Sequence, residues 1–132
     1  MTLAAFVLAA LIAWGSPGFP VTAHDDPALD ASGFAGFAWP GLDGGCNIAV
    51  GGSWHANPWS QSVIVAHEVG HCLLGQCGYW GHVADEALEY SIMTPSAAIY
   101  GVQRDGPLPW DLAFLAATCR QYHAVGIVRV VL

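Results

Sequence analysis

The chain has 132 residues, of which 55% are hydrophobic and 10% are charged, and its formal net charge is −7. This length has room for one domain, and the hydrophobic fraction is sufficient for a core. The excess of acidic over basic residues, 10 against 3, argues against nucleic acid or an anionic membrane as a partner, because both need a basic patch.

Near the start of the chain is an apolar stretch from Leu3 to Trp14, which is followed by Gly15-Ser16-Pro17-Gly18 and then by Val21-Thr22-Ala23, with small residues at positions 21 and 23. This order is typical of a secretory signal peptide with a cleavage site near Ala23. An uncleaved anchor is the alternative, although about 12 apolar residues are fewer than the roughly 20 that a spanning helix needs. We therefore predict a signal peptide over residues 1–23, a secreted domain over residues 24–132, and no stable membrane association after cleavage.

The patterns that follow predict a small α+β domain. Residues His24 to Gly45 are rich in Gly, Pro and Asp, so we expect mostly loop there. A strand is predicted where a short apolar run lies between Gly pairs, and helices are predicted where apolar residues have helical spacing. The predicted elements are a strand over Cys46–Val50, a helix from about Ser62 to a left-handed C-cap near Gly75, a helix from about Pro109 to Tyr122, and a strand over Ile127–Leu132.

The first of these helices carries the segment His67-Glu68-Val69-Gly70-His71. Residues four apart on a helix lie one above the other, so both imidazoles can bind one zinc ion. Glu68 would lie beside the metal, where it can take a proton from a zinc-bound water. The flanking residues are almost all apolar, and burying His67, Glu68 and His71 among them is costly unless a metal pairs with them. The segment predicts metal-assisted peptide hydrolysis.

Four cysteines, Cys46, Cys72, Cys77 and Cys119, are candidates for two disulfides if the chain is exported. We expect Cys72 to pair with Cys77, across the end of the helix, and Cys46 to pair with Cys119. The alternatives are free thiols, or Cys77 as a zinc thiolate.

Downstream, the segment Ser91-Ile92-Met93-Thr94-Pro95 resembles the Met-turn of the metzincins, a family of zinc endopeptidases. Together with His67–His71 and a Pro-Trp-Asp helix start at residue 109, it makes the chain similar to a small metzincin, of the matrixin type or of the short secreted bacterial type. The resemblance covers residues 67 to about 122. It implies a minimal metzincin-like α+β domain, with a short sheet on the active-site helix and a second helix after the Met-turn.

The resemblance also implies a third histidine ligand, a methionine beneath the ligands, and a specificity wall after that methionine. Met93 takes the second role, and residues Thr94 to Tyr100 take the third. The family spacing would put the third histidine at position 77, where this chain has Cys77. His82, between Gly81 and Val83, is the preferred third ligand, and Glu86 and Glu89 are the alternatives. His24, His55 and His123 are assigned no metal role.

Two functions remain open from the sequence. The first is a secreted zinc endopeptidase acting on a protein or peptide substrate, with zinc on His67, His71 and His82 and with Glu68 as general base. The second is a non-catalytic, zinc- and disulfide-stabilised secreted binding module. A glutamate beside the ligands favours the enzyme, because a structural zinc site has no use for a base there.

Overall fold

The computed structural model describes residues 2–42, 44–56, 61–82, 91–93 and 106–125. These residues form a small α+β domain, as predicted. The elements, in chain order, are helix α1 (Leu3–Trp14), strand β1 (Val21–Asp25), a 3-10 helix (Pro27–Ser32), strands β2 (Gly36–Pro40) and β3 (Cys46–Val50), and helices α2 (Gly52–Ala56), α3 (Gln61–Gln76) and α4 (Pro109–Val125).

Within the described residues, the three strands form one sheet in the order β1-β3-β2. Strand β3 pairs in parallel with β1, with Ala23 opposite Ile48, and antiparallel with β2, with Ala38 opposite Ile48. Strand β3 is central because its apolar residues are buried, including Ile48 and Val50 at 0% exposure. Strand β2 is left at an edge of the sheet.

Helices α1 and α3 pack against each other, with α1 contacting β1 and α3 contacting β2 and β3. Helix α3 contains several β-branched residues, which lower helix propensity, but burial of nearly its whole length compensates for this. The core formed by these elements includes Leu11 and Trp14 from α1, Ile48 from β3, and Val65 and Leu74 from α3.

The strand over Cys46–Val50 and the helices α3 and α4 confirm the sequence predictions, to within a few residues at their ends. The expectation of mostly loop before Gly45 is wrong, because β1, the 3-10 helix and β2 lie there. The glycine, proline and aspartate residues of this region are typical of loops, so they gave no local indication of strands. The two strands are short and are stabilised by pairing with β3. The predicted C-terminal strand lies outside the described residues.

The end of α3 also differs from the prediction. Gly75 is helical, and the left-handed residue is Gly78, with φ of 84°. The amides of Gly78 and Tyr79 donate to the carbonyls of Gly75 and Leu74, which is the Schellman pattern. Gly75 is needed for a different reason: a Cβ there would overlap the indole of Trp80.

The disulfide pairing that we predicted from the sequence is wrong. Cys46 of β3 pairs with Cys72 of α3, and Cys77 pairs with Cys119 of α4. Cys72 lies on the side of α3 that faces the sheet, whereas Cys77, just after the end of α3, lies against α4. Cys77, being disulfide-bonded, is not a thiolate, which removes it from the candidate zinc ligands.

Helix α1 occupies most of the segment predicted as a signal peptide. Thr2 caps its first turn, and Gly15 ends it in a left-handed conformation with φ of 84°. Along the part of the chain that the structure describes, no helix combines the length and the apolarity needed to cross a membrane. Cleavage near Ala23 stays a prediction, and a chain cut there would lose α1 and most of β1.

Neighbouring residues of α1 provide a test of its place in the core. Leu11 is 5% exposed and Ile12 is 59% exposed. We expect Leu11→Ala to lower the free energy of unfolding by about 2–5 kcal/mol, because it leaves a cavity. The matched change Ile12→Ala should cost about 0.5 kcal/mol or less, since it alters the surface. Urea unfolding of the full-length, disulfide-bonded chain measures both, and equal losses would contradict the packing of α1.

Candidate metal centre

Helix α3 presents three polar side chains within an otherwise apolar surface. His67 and His71 are each 7% exposed, and Glu68 is 4% exposed. Because the two histidines are one helical turn apart, their rings meet on the same side, with centroids 4.6 Å apart. The spacing seen in the sequence therefore produces the expected juxtaposition.

His82 completes a cluster with the two helical histidines. Its Nε2 atom lies 3.2 Å from Nε2 of His67 and 3.3 Å from Nε2 of His71, and the latter two atoms are 3.1 Å apart. Among the described residues, these three form the group of metal-ligating side chains whose ligand atoms converge. The structure thus brings together the three histidines selected from the sequence, and they could hold a metal ion.

The cluster fits a tetrahedral metal such as zinc. Two nitrogens bound to one zinc at about 2.0–2.1 Å, with a tetrahedral angle between them, are about 3.3–3.4 Å apart. The observed separations are 3.1–3.3 Å. Three Nε2 atoms at these separations could all bind one cation placed between them, if each presents its lone pair.

The protonation states also suit a metal site. Burial lowers the pKa of His67 to about 4 and that of His71 to about 3, with the neighbouring imidazoles adding to the effect. Burial also lowers the pKa of His82, which is more exposed. Neutral imidazoles are the form that binds metals, so no proton has to be displaced from the buried pair near pH 7.

The segment Ser91–Met93 fixes the orientation of His67. The Nδ1 atom of His67 lies 2.5 Å from the carbonyl oxygen of Ile92, to which it donates, so Nε2 is left with a lone pair facing the cluster. Asp111 of α4 holds this segment in turn, accepting hydrogen bonds from the Ser91 hydroxyl at 2.6 Å and the Ile92 amide at 3.4 Å. Asp111 also accepts from the Leu108 amide at the start of α4, at 2.8 Å. A buried carboxylate therefore links α4 to the ligand His67.

Met93 lies against α3 beside the histidine pair. It is 1% exposed, and its sulfur packs on Gly70, where a Cβ would overlap it. The resemblance implies a methionine beneath the ligands, and in the structure Met93 contacts α3 at Gly70, next to His71.

The third histidine is held by a different set of contacts. The Tyr79 hydroxyl donates to the carbonyl of His82 at 2.9 Å, and the Tyr79 ring packs edge-on against Phe114 of α4. The disulfide between Cys77 and Cys119 ties the start of this segment to the same helix. His82 therefore approaches the cluster from a segment anchored on α4, whereas His67 and His71 come from α3.

Glu68 lies between the histidines and the edge strand β2. Its Oε1 atom is 3.8 Å from Nε2 of His67. A Cβ at Gly36 would be 2.9 Å from Cγ of Glu68, so only glycine lets β2 come this close. The Oε2 atom of Glu68 has no hydrogen-bond partner among the described residues. Burial raises the pKa of this carboxyl group to about 8. A cation bound at the histidines would favour its ionised form.

The cluster opens into a cavity of about 640 Å³. One wall is formed by residues 33–40, which include all of β2, and another by α3. The histidines and Glu68 lie on the lining, together with the indole of Trp80. A ligand in this cavity would contact both an open strand edge and the candidate metal position.

Several residues named from the sequence are not at this site. His24 stacks on Trp39 and His55 pairs with Asp25 on the exposed surface. Glu86, Glu89 and the predicted specificity wall over Thr94–Tyr100 lie outside the described residues, and so does the side chain of His123.

The sequence analysis missed the roles of Tyr79, Asp111 and Gly36. For Asp111 the sequence did contain an indication, because this residue lies two positions after Pro109, in the first turn of α4. Acidic residues in the first turn often cap a helix. Gly36 and Tyr79 had none, because their roles depend on which elements meet in the fold.

Comparison with known proteins gives no match among family models, curated proteins or solved structures.

Removal of the third histidine tests the ligand set. His82→Ala should weaken zinc binding by more than about 100-fold, because loss of a ligand costs more than loss of its supporting partner. His24→Ala is the matched control, since His24 is exposed and outside the cluster, and it should not change the affinity. Competition with a chromophoric chelator measures both. Unchanged affinity in His82→Ala would exclude His82 and make Glu86 and Glu89 the next candidates.

The buried charges of α3 predict an unusual pH dependence in the metal-free protein. The pKa of Glu68 is raised from 4.5 to about 8, so its contribution to stability is lost as the pH rises through this range. The pKa values of His67 and His71 are lowered from 6.5 to about 4 and about 3, so their contributions are lost as the pH falls below 6.5. Between pH 4.5 and 6.5 the two histidines outweigh Glu68, so stability rises with pH, and above pH 6.5 only the decline due to Glu68 remains. The three groups together therefore give maximum stability near pH 6.5.

Glu68→Gln should remove the alkaline decline, raising stability by several kcal/mol at pH 8, and keep the acidic one. Urea unfolding in the presence of a chelator, at a series of pH values, measures this. An equally steep alkaline decline in the variant would contradict the assignment to Glu68.

Proposed function

We propose that this chain is a secreted zinc-dependent endopeptidase of the metzincin type. The observation that carries the proposal is the convergence of His67, His71 and His82 on one point, with Glu68 beside it, in the wall of an open cavity. The packing of buried Met93 against Gly70, next to His71, supports the family assignment, and the two disulfides support an extracellular location.

The chain's own residues have distinct tasks in this proposal. The three histidines hold zinc, which when bound lowers the pKa of a water molecule and polarises the carbonyl to be attacked. Glu68 accepts a proton from the attacking water and then donates it to the nitrogen of the departing amine, so that the proton is conserved over the two steps. Burial raises the pKa of Glu68, and a cation at the histidines would lower it again, which leaves the carboxylate able to accept the proton from water.

The edge strand β2 supplies a means of holding the substrate. Its outer edge is unpaired among the described strands, and the strand lines the same cavity as the histidines. An extended peptide can add to such an edge through main-chain hydrogen bonds. This would carry a peptide bond past Glu68, because Gly36 in β2 is in contact with that side chain.

The alternative, a non-catalytic zinc-stabilised module, requires a closed metal site. Structural zinc sites usually have four protein ligands, whereas catalytic sites keep one position open. Among the residues that the structure describes, the converging group has three members and faces a cavity. This arrangement favours the enzyme.

The proposal is tested with the full-length chain, refolded oxidatively with zinc and assayed on a fluorogenic protein substrate. We expect cleavage that stops on zinc chelation and returns when zinc is restored. Glu68→Ala should keep zinc binding and the fold but reduce cleavage by at least about 100-fold, because it removes the general base.

The Glu68→Ala protein, purified in the same way, also controls for contaminating proteases. Undiminished cleavage in this variant would rule out the role of Glu68. A natural chain that folds, binds zinc and cleaves nothing would favour the binding module.

A further inference from the structure

Trp14, near the end of α1, makes a buried polar contact with the helix that carries the histidine pair. The side chain is 3% exposed, and its Nε1 atom donates to the carbonyl oxygen of Ala66 at 2.9 Å. Ala66 immediately precedes His67, so the hydrogen bond ends one residue away from a candidate zinc ligand. The contact spans 52 positions of the chain.

The same indole also touches α3 one turn further along. A Cβ at Gly70 would lie 2.7 Å from Cζ2 of Trp14 and would overlap the sulfur of Met93. Gly70 immediately precedes His71, so Trp14 and Met93 meet the helix between the two histidines. The absence of a side chain at Gly70 allows both groups to reach the helix backbone.

These two contacts restrict different movements of α3. The hydrogen bond to the Ala66 carbonyl has a defined direction and length, so it limits sliding along the helix axis. The ring contact at Gly70 limits rotation and lateral shift, because close-packed groups leave no room for either. His67 and His71 move with α3, whereas His82 is held by Tyr79 and the disulfide to α4. A displacement of α3 would therefore separate the helical pair from the third histidine.

We infer that Trp14 is a positioning residue for the metal site, fixing α3 so that the nitrogens of His67 and His71 meet that of His82. The inference rests on the proposed zinc site. It requires a chain that keeps α1, so this role for Trp14 and the cleavage predicted near Ala23 exclude each other. Metal sites tolerate little displacement, and loss of a supporting contact typically costs 10–100-fold in affinity.

Trp54 provides a matched control on the same helix. It is 4% exposed, and its Nε1 atom donates to the carbonyl of Gln61 at 3.2 Å. Both tryptophans thus belong to the core and donate one hydrogen bond to the backbone of α3. Gln61 begins the helix, six residues before His67, so the Trp54 contact is remote from the histidine pair.

The experiment compares Trp14→Phe with Trp54→Phe in the full-length, disulfide-bonded chain. Each variant keeps an aromatic ring and loses one indole donor. We expect Trp14→Phe to weaken zinc binding about 10–100-fold, measured by chelator competition, and Trp54→Phe to change it by less than about threefold. Absorption of the cobalt-loaded proteins should show shifted ligand-field bands in Trp14→Phe alone, because these bands report the geometry of the ligands. Equal affinities and equal spectra in the two variants would overturn the inference.

If Trp14→Phe does not fold, the natural chain decides the question through its indole N–H resonances. The Trp14 resonance, assigned through its contacts to Gly70 and Met93, should shift on zinc addition by more than that of Trp54. A Trp14 resonance no more responsive than that of Trp54 would overturn the inference. Failure of the natural chain to bind zinc would instead refute the proposed function, so the two failures are distinguishable.

Discussion

The burial of His67, Glu68 and His71 inside an apolar helix is the constraint on which the rest of the site depends. Desolvation lowers the pKa values of both histidines and raises that of Glu68. Without a cation, all three groups are therefore held in their uncharged forms. A cation at the histidines reverses this disadvantage, because it pairs with the ring nitrogens and favours the neighbouring carboxylate. The feature that is costly for folding is therefore the feature that is useful for chemistry.

The surrounding elements hold this helix from several sides. Strand β2 contacts it at Glu68, the carbonyl of Ile92 accepts the hydrogen bond from His67, and α1 reaches the backbone through Trp14. Two glycines make the close approaches possible: Gly36 for the strand, and Gly70 for Met93 and Trp14. Their value lies in the space that a missing side chain leaves, since neither has a positive φ.

The sequence was sufficient to predict α3, α4, β3 and the meeting of the three histidines, because these depend on helical spacing, on apolar periodicity and on a recognisable motif. It was insufficient where the outcome depends on partners distant in the chain. Strands β1 and β2 are stabilised by pairing with β3, and their Gly and Pro content indicates loop when read locally. The disulfide partners of Cys72 and Cys77 depend on which way each side chain points at the end of α3. That helix continues past the expected cap at Gly75 to Gln76, and the left-handed residue is Gly78.

The disulfides divide the chain into two covalent loops that do not overlap. One runs from Cys46 to Cys72 and contains His67 and His71, and the other runs from Cys77 to Cys119 and contains His82. Neither bond connects one loop to the other, so only the short segment from Leu73 to Gln76 joins them covalently. A metal held by all three histidines would act as a third cross-link across this boundary. Loss of the ion would thus remove the cross-link between the two loops, while each loop keeps its own disulfide.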